Sequence, residues 1–285
     1  MRFLINDIEL KLQLAASSES YLQKITSEVF LNGKTTINSS EKTLSLEISR
    51  KKNQLPQINI KSKNHAIALA PLLKKQEAMT IKMATLTDSV ILGIDANGDI
   101  DTIHNHHIIK QKWDILKKEL AKQYEGDIME IYCFGIDKKI NDSKKLISDF
   151  KQARLFGLLW DNLYGDYTDD KSVIKKRTKR IDNCVNHIPI IINEDIFCNL
   201  IDDNNGIVEL QIKGQLNKEE TYIKKIENHF IREGAKKEAR FALSKYNGLF
   251  QFDIKSGLLK KGSLLIETVF GEYYKKKEQF DIQNI

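Results

Sequence analysis

The feature that most constrains this chain is a two-residue alternation of apolar and polar side chains. "RFLINDIELKLQL" puts Ile8, Leu10, Leu12 and Leu14 on one side and charged or amide residues on the other, and "KTLSLEIS" and "QINIKS" repeat the pattern around Pro56. Successive side chains of a strand point to opposite faces, so these stretches are expected to form antiparallel strands with one wet face. Further strands are expected at "VIKKRTKRID", "IPIIINEDIF", "GIVELQIKGQL", "GLFQFDI" and "SLLIETVFGEYY". "AMTIKMATLTDSVILGIDANGDIDTI" reads as a hairpin, because Asn97-Gly98 tolerates the positive φ values of a type I′ turn.

Other segments carry the helical period. Tyr21, Ile25 and Val29 in "SESYLQKITSEVFLNG" predict a short helix, against the β-branching of Thr26 and Val29. Ile109, Trp113, Leu116, Leu120 and Tyr124 form one stripe of a helix over 106–124, with Asn105 at the N-cap position. A second helix is expected from about Asp142 to Leu163, with Leu146, Phe150, Ala153, Gly157 and Trp160 as its stripe. A third is expected from about Lys218 to Tyr246, where Gly234 separates the bulky Ile223, Ile226 and Phe230 from the small Ala235, Ala239 and Ala242.

The polar stretch "YGDYTDDKSVIKKRTKRIDN" marks a boundary between residues 1–168 and 169–285. "VILGIDANGDI" and "GLFQFDIKSGLL" share a strand ending in a hydrophobic-Asp step, with glycine and a second strand after it. The expected class is α+β: two related halves, each an antiparallel sheet covered by one or two helices.

At 285 residues and 41% hydrophobic, the chain can bury one large core or two modest ones. The net charge of +6 comes from scattered lysines, which read as a generic basic surface. Asp7, Glu9 and Lys11 interrupt the apolar run that a secretory signal needs, and no run approaches a bilayer span, so no membrane insertion is expected. Cys133, Cys184 and Cys198 suit reduced thiols in a cytoplasmic protein.

Chemistry would be sought first in "GDIDTIHNHHIIKQKW". His104, Asn105 and His106 spell the name of an HNH nuclease, but they are consecutive where that site needs long intervals. Beside His107 they read as a strand end running into a helix start. Asp95, Asn97, Asp99 and Asp101 reproduce the opening ligands of a calcium loop. Ile100 then stands where the loop needs glycine, and His106 where it needs glutamate. Cys184, His187 and Cys198 could offer three zinc ligands but lack paired short spacings. No metal and no cofactor is therefore assigned. The glycine-rich phosphate loops and the nucleophile elbow are absent from the sequence. The pairs Glu219–Glu220 and Asp202–Asp203 sit in helix-start and turn contexts. "KSVIKKRTKR" puts Lys175, Arg177 and Lys179 on one face and Lys176 and Arg180 on the other, so an aggregation-resistant sheet edge is expected there, not nucleic-acid binding.

The run "IDANGDIDTIHNHHIIKQKWDILKKEL" followed by "LISDFKQARLFGLLWDNLYG" resembles a pattern of uncharacterised cytosolic-type proteins of Bacteroidota. In these, a strand ending in Asp-x-x-Gly leads to an Ile-x-Asn step, a Trp-bearing helix and a second helix. The resemblance covers roughly residues 80–165 and transfers no catalytic residue. It implies a link to type VI secretion or contractile injection systems. The expected function is a non-catalytic cytosolic binding or adaptor protein with a protein partner, and the resemblance suggests an accessory or effector-loading chaperone of a type VI-like secretion system. The alternatives are a carrier of an apolar small ligand in a sheet-and-helix cavity, and an enzyme or toxin whose site assembles only in three dimensions.

Overall fold

A computed structural model describes residues 7–12, 17–49, 57–95, 99–124, 126–152, 163–168, 170, 172–185 and 188–285. The chain begins with β1 (Asp7–Leu10), β2 (Ser17–Leu31), β3 (Lys34–Ser49), β4 (Gln57–Ala68), α1 (Lys74–Ala84), β5 (Ser89–Ile94), β6 (Ile100–Ile103) and α2 (His106–Gln123). It continues through α3 (Asp127–Ile140), α4 (Ser143–Gln152), β7 (Gly165–Thr168), β8 (Val173–Val185), β9 (Ile188–Asp202) and β10 (Ile207–Leu216). The last elements are α5 (Ile223–Arg232), β11 (Phe241–Asp253), β12 (Leu259–Phe270) and β13 (Tyr274–Asn284). The class is α+β, and antiparallel sheet dominates. No described helix is long and apolar enough to cross a membrane.

Two compact units share these elements. The first draws on Met1–Gln13, Gln23–Ser40 and Tyr164–Asn284, the second on Leu14–Leu22, Glu41–Leu163 and Ile285. In the first unit the strand order is β13-β12-β11-β10-β9-β8, with β2 beside β13. β1 and β7 form a separate two-stranded sheet, pairing Asp7 with Thr168 and Leu10 with Gly165. In the second unit the order runs from the later part of β3 (residues 41–49) through β4 and β5 to β6, accompanied by α1 to α4.

Three expected elements turn out differently, and a fourth is described only in part. The helix expected around Tyr21, Ile25 and Val29 is strand β2, because a spacing of four satisfies both the strand and the helix period. Its partner β3 follows a turn in which Asn32 and Gly33 both take positive φ, the type I′ chemistry that had been sought at Asn97-Gly98. The first arm of the expected 78–103 hairpin is the end of helix α1, so the hairpin is the shorter β5–β6 pair, and its turn residues 96–98 lie outside the described residues. The helix expected over 142–163 is described as α4, with Leu146 and Phe150 buried; Ala153, Gly157 and Trp160 lie outside the described residues. The helix expected over 218–246 is only the ten residues of α5. Gly234 ends it at φ +102°, and the Ala235 N–H returns to the Phe230 carbonyl at 3.0 Å, as in a Schellman close.

The first unit's core lies on one face of its sheet. Ile190, Ile192, Ile196 and Cys198 of β9 and Val208, Leu210 and Ile212 of β10 are buried, as are Phe250 and Phe252 of β11 and Leu264, Ile266 and Phe270 of β12. α5 contributes Ile226 and Phe230, and the Phe230 ring stacks on Phe270 at 5.0 Å. Glycine serves the same packing in mid-sheet. A Cβ on Gly248 would lie 2.6 Å from the Phe250 ring, and one on Gly262, the residue paired with Phe250, 2.7 Å from it. The ring therefore occupies the space that two missing side chains leave. The two hairpins compared in the sequence share one device: Asp95 Oδ1 accepts the Asp99 N–H, and Asp253 Oδ1 accepts the Ser256 N–H, each at 2.8 Å. β6 is then followed by helix α2, whereas β12 is followed by strand β13.

Candidate partner-binding groove

Of the residues singled out in "GDIDTIHNHHIIKQKW", Asp99, Asn105 and His106 are engaged in local structure. Asp95 and Asp99 close the β5–β6 turn, where the Asp95 N–H also donates to the Asp99 carbonyl at 2.9 Å. Asp101 is exposed, and Asn97 lies outside the described residues. His104 is exposed, its Nε2 3.5 Å from Thr102 Oγ1. His106 Nε2 lies 2.5 Å from the Ile140 carbonyl at the end of α3, and His107 is exposed. Cys184 and Cys198 are buried thiols, with Sγ 3.9 Å from Thr268 Oγ1 and 3.7 Å from the Leu200 carbonyl respectively; His187 lies outside the described residues. Among the described residues no three His, Cys, Asp or Glu side chains gather as a metal would require.

Asn105 occupies the N-cap position, yet its side chain makes no capping bond. It is buried and spans to β5 instead, Oδ1 accepting the Ile91 N–H at 2.8 Å and Nδ2 donating to the Ser89 carbonyl at 2.9 Å. The same amide chemistry that suits a cap here supplies a donor and an acceptor to a strand's free backbone edge.

The basic strand β8 is the last in the first unit's strand order and, among the described strands, pairs in the sheet with β9 alone, as an edge was expected to do. Its two faces differ. Lys176 is exposed, whereas the Arg177 side chain is buried against the equally buried Glu194 of β9, which also accepts the Tyr246 hydroxyl. Register explains the meeting: Arg177 pairs with Glu194, Glu194 with Gly214, and the Tyr246 ring lies over Gly214, where a Cβ would stand 2.4 Å from it. A buried charge is costly unless it is paired, and here the Arg177 guanidinium is paired with Glu194, whose carboxylate also accepts the Tyr246 hydroxyl.

The sequence reading passed over α3. "DIMEIYCFGIDKKI" mixes β-branched and aromatic residues without a single stripe, and the signals that could have found it are its flanks: Gly126 before it at φ +109°, Asp127 and Glu130 in its first turn, Lys138 and Lys139 in its last. α2 buries Ile109, Trp113, Leu116 and Leu120, the expected stripe without Tyr124. The two helices are joined by Asp137, which accepts the Trp113 indole N–H at 2.7 Å and pairs with Lys117. Partial burial works to raise the Asp137 carboxyl, but the Lys117 ammonium and the indole N–H outweigh it and hold the group below the usual carboxylate value. Burial also pushes the Cys133 thiol up; Asp137 adds to that, against Lys117.

A groove of about 460 Å³ runs between these helices. Ala121, Tyr124, Met129 and Cys133 line it along with the charged Lys117 and Asp137. At its border α3 presents Phe134, 59% exposed, and on the same helix Ile131 is 70% exposed. Lys138 stands 4.2 Å over the Phe134 ring.

No family model matches the chain, and no curated protein matches it. Among solved structures it is similar to lipovitellin, in a structure titled for lipid–protein interactions, at 9% identity and a TM-score of 0.43. That likeness covers 94% of this chain and 25% of the lipovitellin chain, so this chain spans about a quarter of that protein's length. It is also similar to DynF of the dynemicin biosynthesis pathway of Micromonospora chersina, at 4% identity over 98% of this chain and 84% of that one, with a TM-score of 0.20. Scores this low establish no shared fold and carry nothing about function.

Proposed function

We propose that this chain is a non-catalytic binding protein of the adaptor type, and that the α2–α3 groove receives an apolar side chain of a protein partner. The observation that carries this reading is the exposure of Phe134, at a groove lined by both apolar and charged side chains, and of Ile131 on the same helix. Large apolar side chains cost solvation free energy when left in water, and clustered with a groove they mark association surfaces. The ionisable groups at the groove favour binding over chemistry: Asp137 is committed to Trp113 and Lys117, and a thiol whose pKa is raised is the reverse of an activated nucleophile. The cytoplasmic setting and the role of accessory chaperone to a type VI-like secretion machine belong to the same proposal; their support is the resemblance over residues 80–165, a stretch that includes both helices.

Native mass spectrometry of the protein isolated from its own cells tests this, with wild type and the Ile131→Lys/Phe134→Asp variant compared. A stoichiometric protein partner on the wild type, missing from a variant that melts at the same temperature, is the expected result. A partner retained by the variant sinks the groove assignment. A bare chain with a small apolar adduct transfers the reading to the carrier.

A further inference from the structure

A second recess lies in the first unit, between the turn after β10, the start of α5 and the start of β11. It encloses about 780 Å³, and Lys218, Lys224, Lys225 and Arg240 line it together with Tyr222, Ile223 and Phe241. Lys218, Lys224 and Lys225 are exposed and form no ion pair with any described residue, whereas many of the chain's other lysines do. Arg240 turns one guanidinium nitrogen to the carbonyls of Lys237 and Ala239. The single carboxylate in the lining, Glu227, accepts the Phe241 N–H at 3.1 Å. Glu219 and Glu220 belong to the neighbouring turn and do not line the recess; their N–H groups both donate to Asn217 Oδ1, and Glu220 also accepts the Asn217 amide.

The walls are held before any ligand arrives. Thr221 is buried, and its hydroxyl accepts the Ile191 N–H of β9 at 3.0 Å. Ile226 and Phe230 seat α5 on the sheet, and the Glu227 contact ties the helix to the first residue of β11. Above this frame Tyr222 is 68% exposed, beside the cations. Four cations facing one committed carboxylate favour a compact anion, and the exposed ring offers a stacking platform. A recess of this size accepts a small molecule.

We propose that this recess binds a nucleotide-like ligand, its phosphate among Lys218, Lys224, Lys225 and Arg240 and its flat ring against Tyr222. The site shares no lining residue with the α2–α3 groove and does not depend on the adaptor reading.

Calorimetric titration of the full chain with AMP, inorganic phosphate and adenosine tests it, alongside cosedimentation with phosphatidylglycerol vesicles. AMP is expected to bind more tightly than either of its parts and progressively less tightly as salt rises. Lys224→Gln/Lys225→Gln should weaken AMP roughly tenfold and flatten its salt dependence. Tyr222→Ala should reduce AMP to the affinity of phosphate alone, roughly a tenfold loss, and Tyr222→Phe should keep it near wild type. These three side chains are exposed, so unchanged melting temperatures serve as the folding control. AMP binding no tighter than phosphate, indifference to the lysine changes, or capture by anionic vesicles without AMP binding would each overturn the proposal.

Discussion

The side chain of Asn105, at the start of α2, holds the backbone of Ile91 in β5, its Oδ1 accepting the Ile91 N–H at 2.8 Å. The bond joins a helix start to a strand fourteen residues back in the chain. It also distinguishes a tertiary fastening from a local cap. Asp and Ser serve as N-caps as well as Asn does, so a capping role would leave Asn105→Asp and Asn105→Ser near neutral. Here both should destabilise, by roughly 1–3 kcal/mol, because neither can donate to the Ser89 carbonyl and accept from Ile91 in this geometry. Urea denaturation of the two variants decides between the roles.

Glu194, Arg177 and Tyr246 should behave as one buried unit. Glu194→Ala strands the Arg177 guanidinium and should cost roughly 3–5 kcal/mol, whereas Glu194→Gln keeps a partner for the Tyr246 hydroxyl and should cost less. Replacing both charges, as Arg177→Met with Glu194→Leu, should recover much of the loss. A double-mutant cycle in urea measures the coupling, and additive single effects would contradict it.

Phe250 fills the space above Gly248 and Gly262, so Gly262→Ala should force the ring off its position at a cost of roughly 1–3 kcal/mol. In a Phe250→Leu background the same alanine should cost much less, since the clashing ring atoms are gone. Comparable losses in both backgrounds, read by thermal unfolding, would show that the ring is not the obstacle.

Asp137 has a folded-state pKa below its unfolded value. Its contribution is therefore present above the unfolded carboxylate value of about 4 and is lost as pH falls through the folded value. The side chain is 26% exposed, which limits the effect to about 1 kcal/mol or less. Asp137→Asn should be less stable than wild type at pH 7 and approach it by about pH 2. Urea midpoints across that range check the sign, and a gap that widens in acid would reverse it.

Local pattern already carried much of this architecture. Strands β8, β9, β10 and β12, the later part of β11 and the buried stripe of α2 were legible because each is a matter of period, set by backbone geometry over neighbouring residues, whereas β13 and the first residues of β11 were not read as strand. Where two periods coincide the reading failed: Tyr21, Ile25 and Val29 fit both, and polar Gln23 and Ser27 between them concealed the alternation. α3 escaped for a related reason. A helix that leaves Ile131 and Phe134 exposed while burying Cys133 and Ile140 has apolar residues on more than one side, so no stripe announces it.

Local pattern alone was enough for an antiparallel α+β protein, a lysine-bearing edge strand and a helix starting at Asn105. Tertiary structure alone decided that Asn105 fastens β5, that Arg177 turns inward to Glu194 and Tyr246, and that β1 pairs with β7 more than 150 residues away. It also decided that Lys218 and Arg240, on either side of α5 in the chain, line one recess. The physical reason is common to all four. Turn chemistry and side-chain period are settled between neighbours, whereas the partner of a polar or charged group depends on strand register and chain crossing, which only the assembled fold supplies.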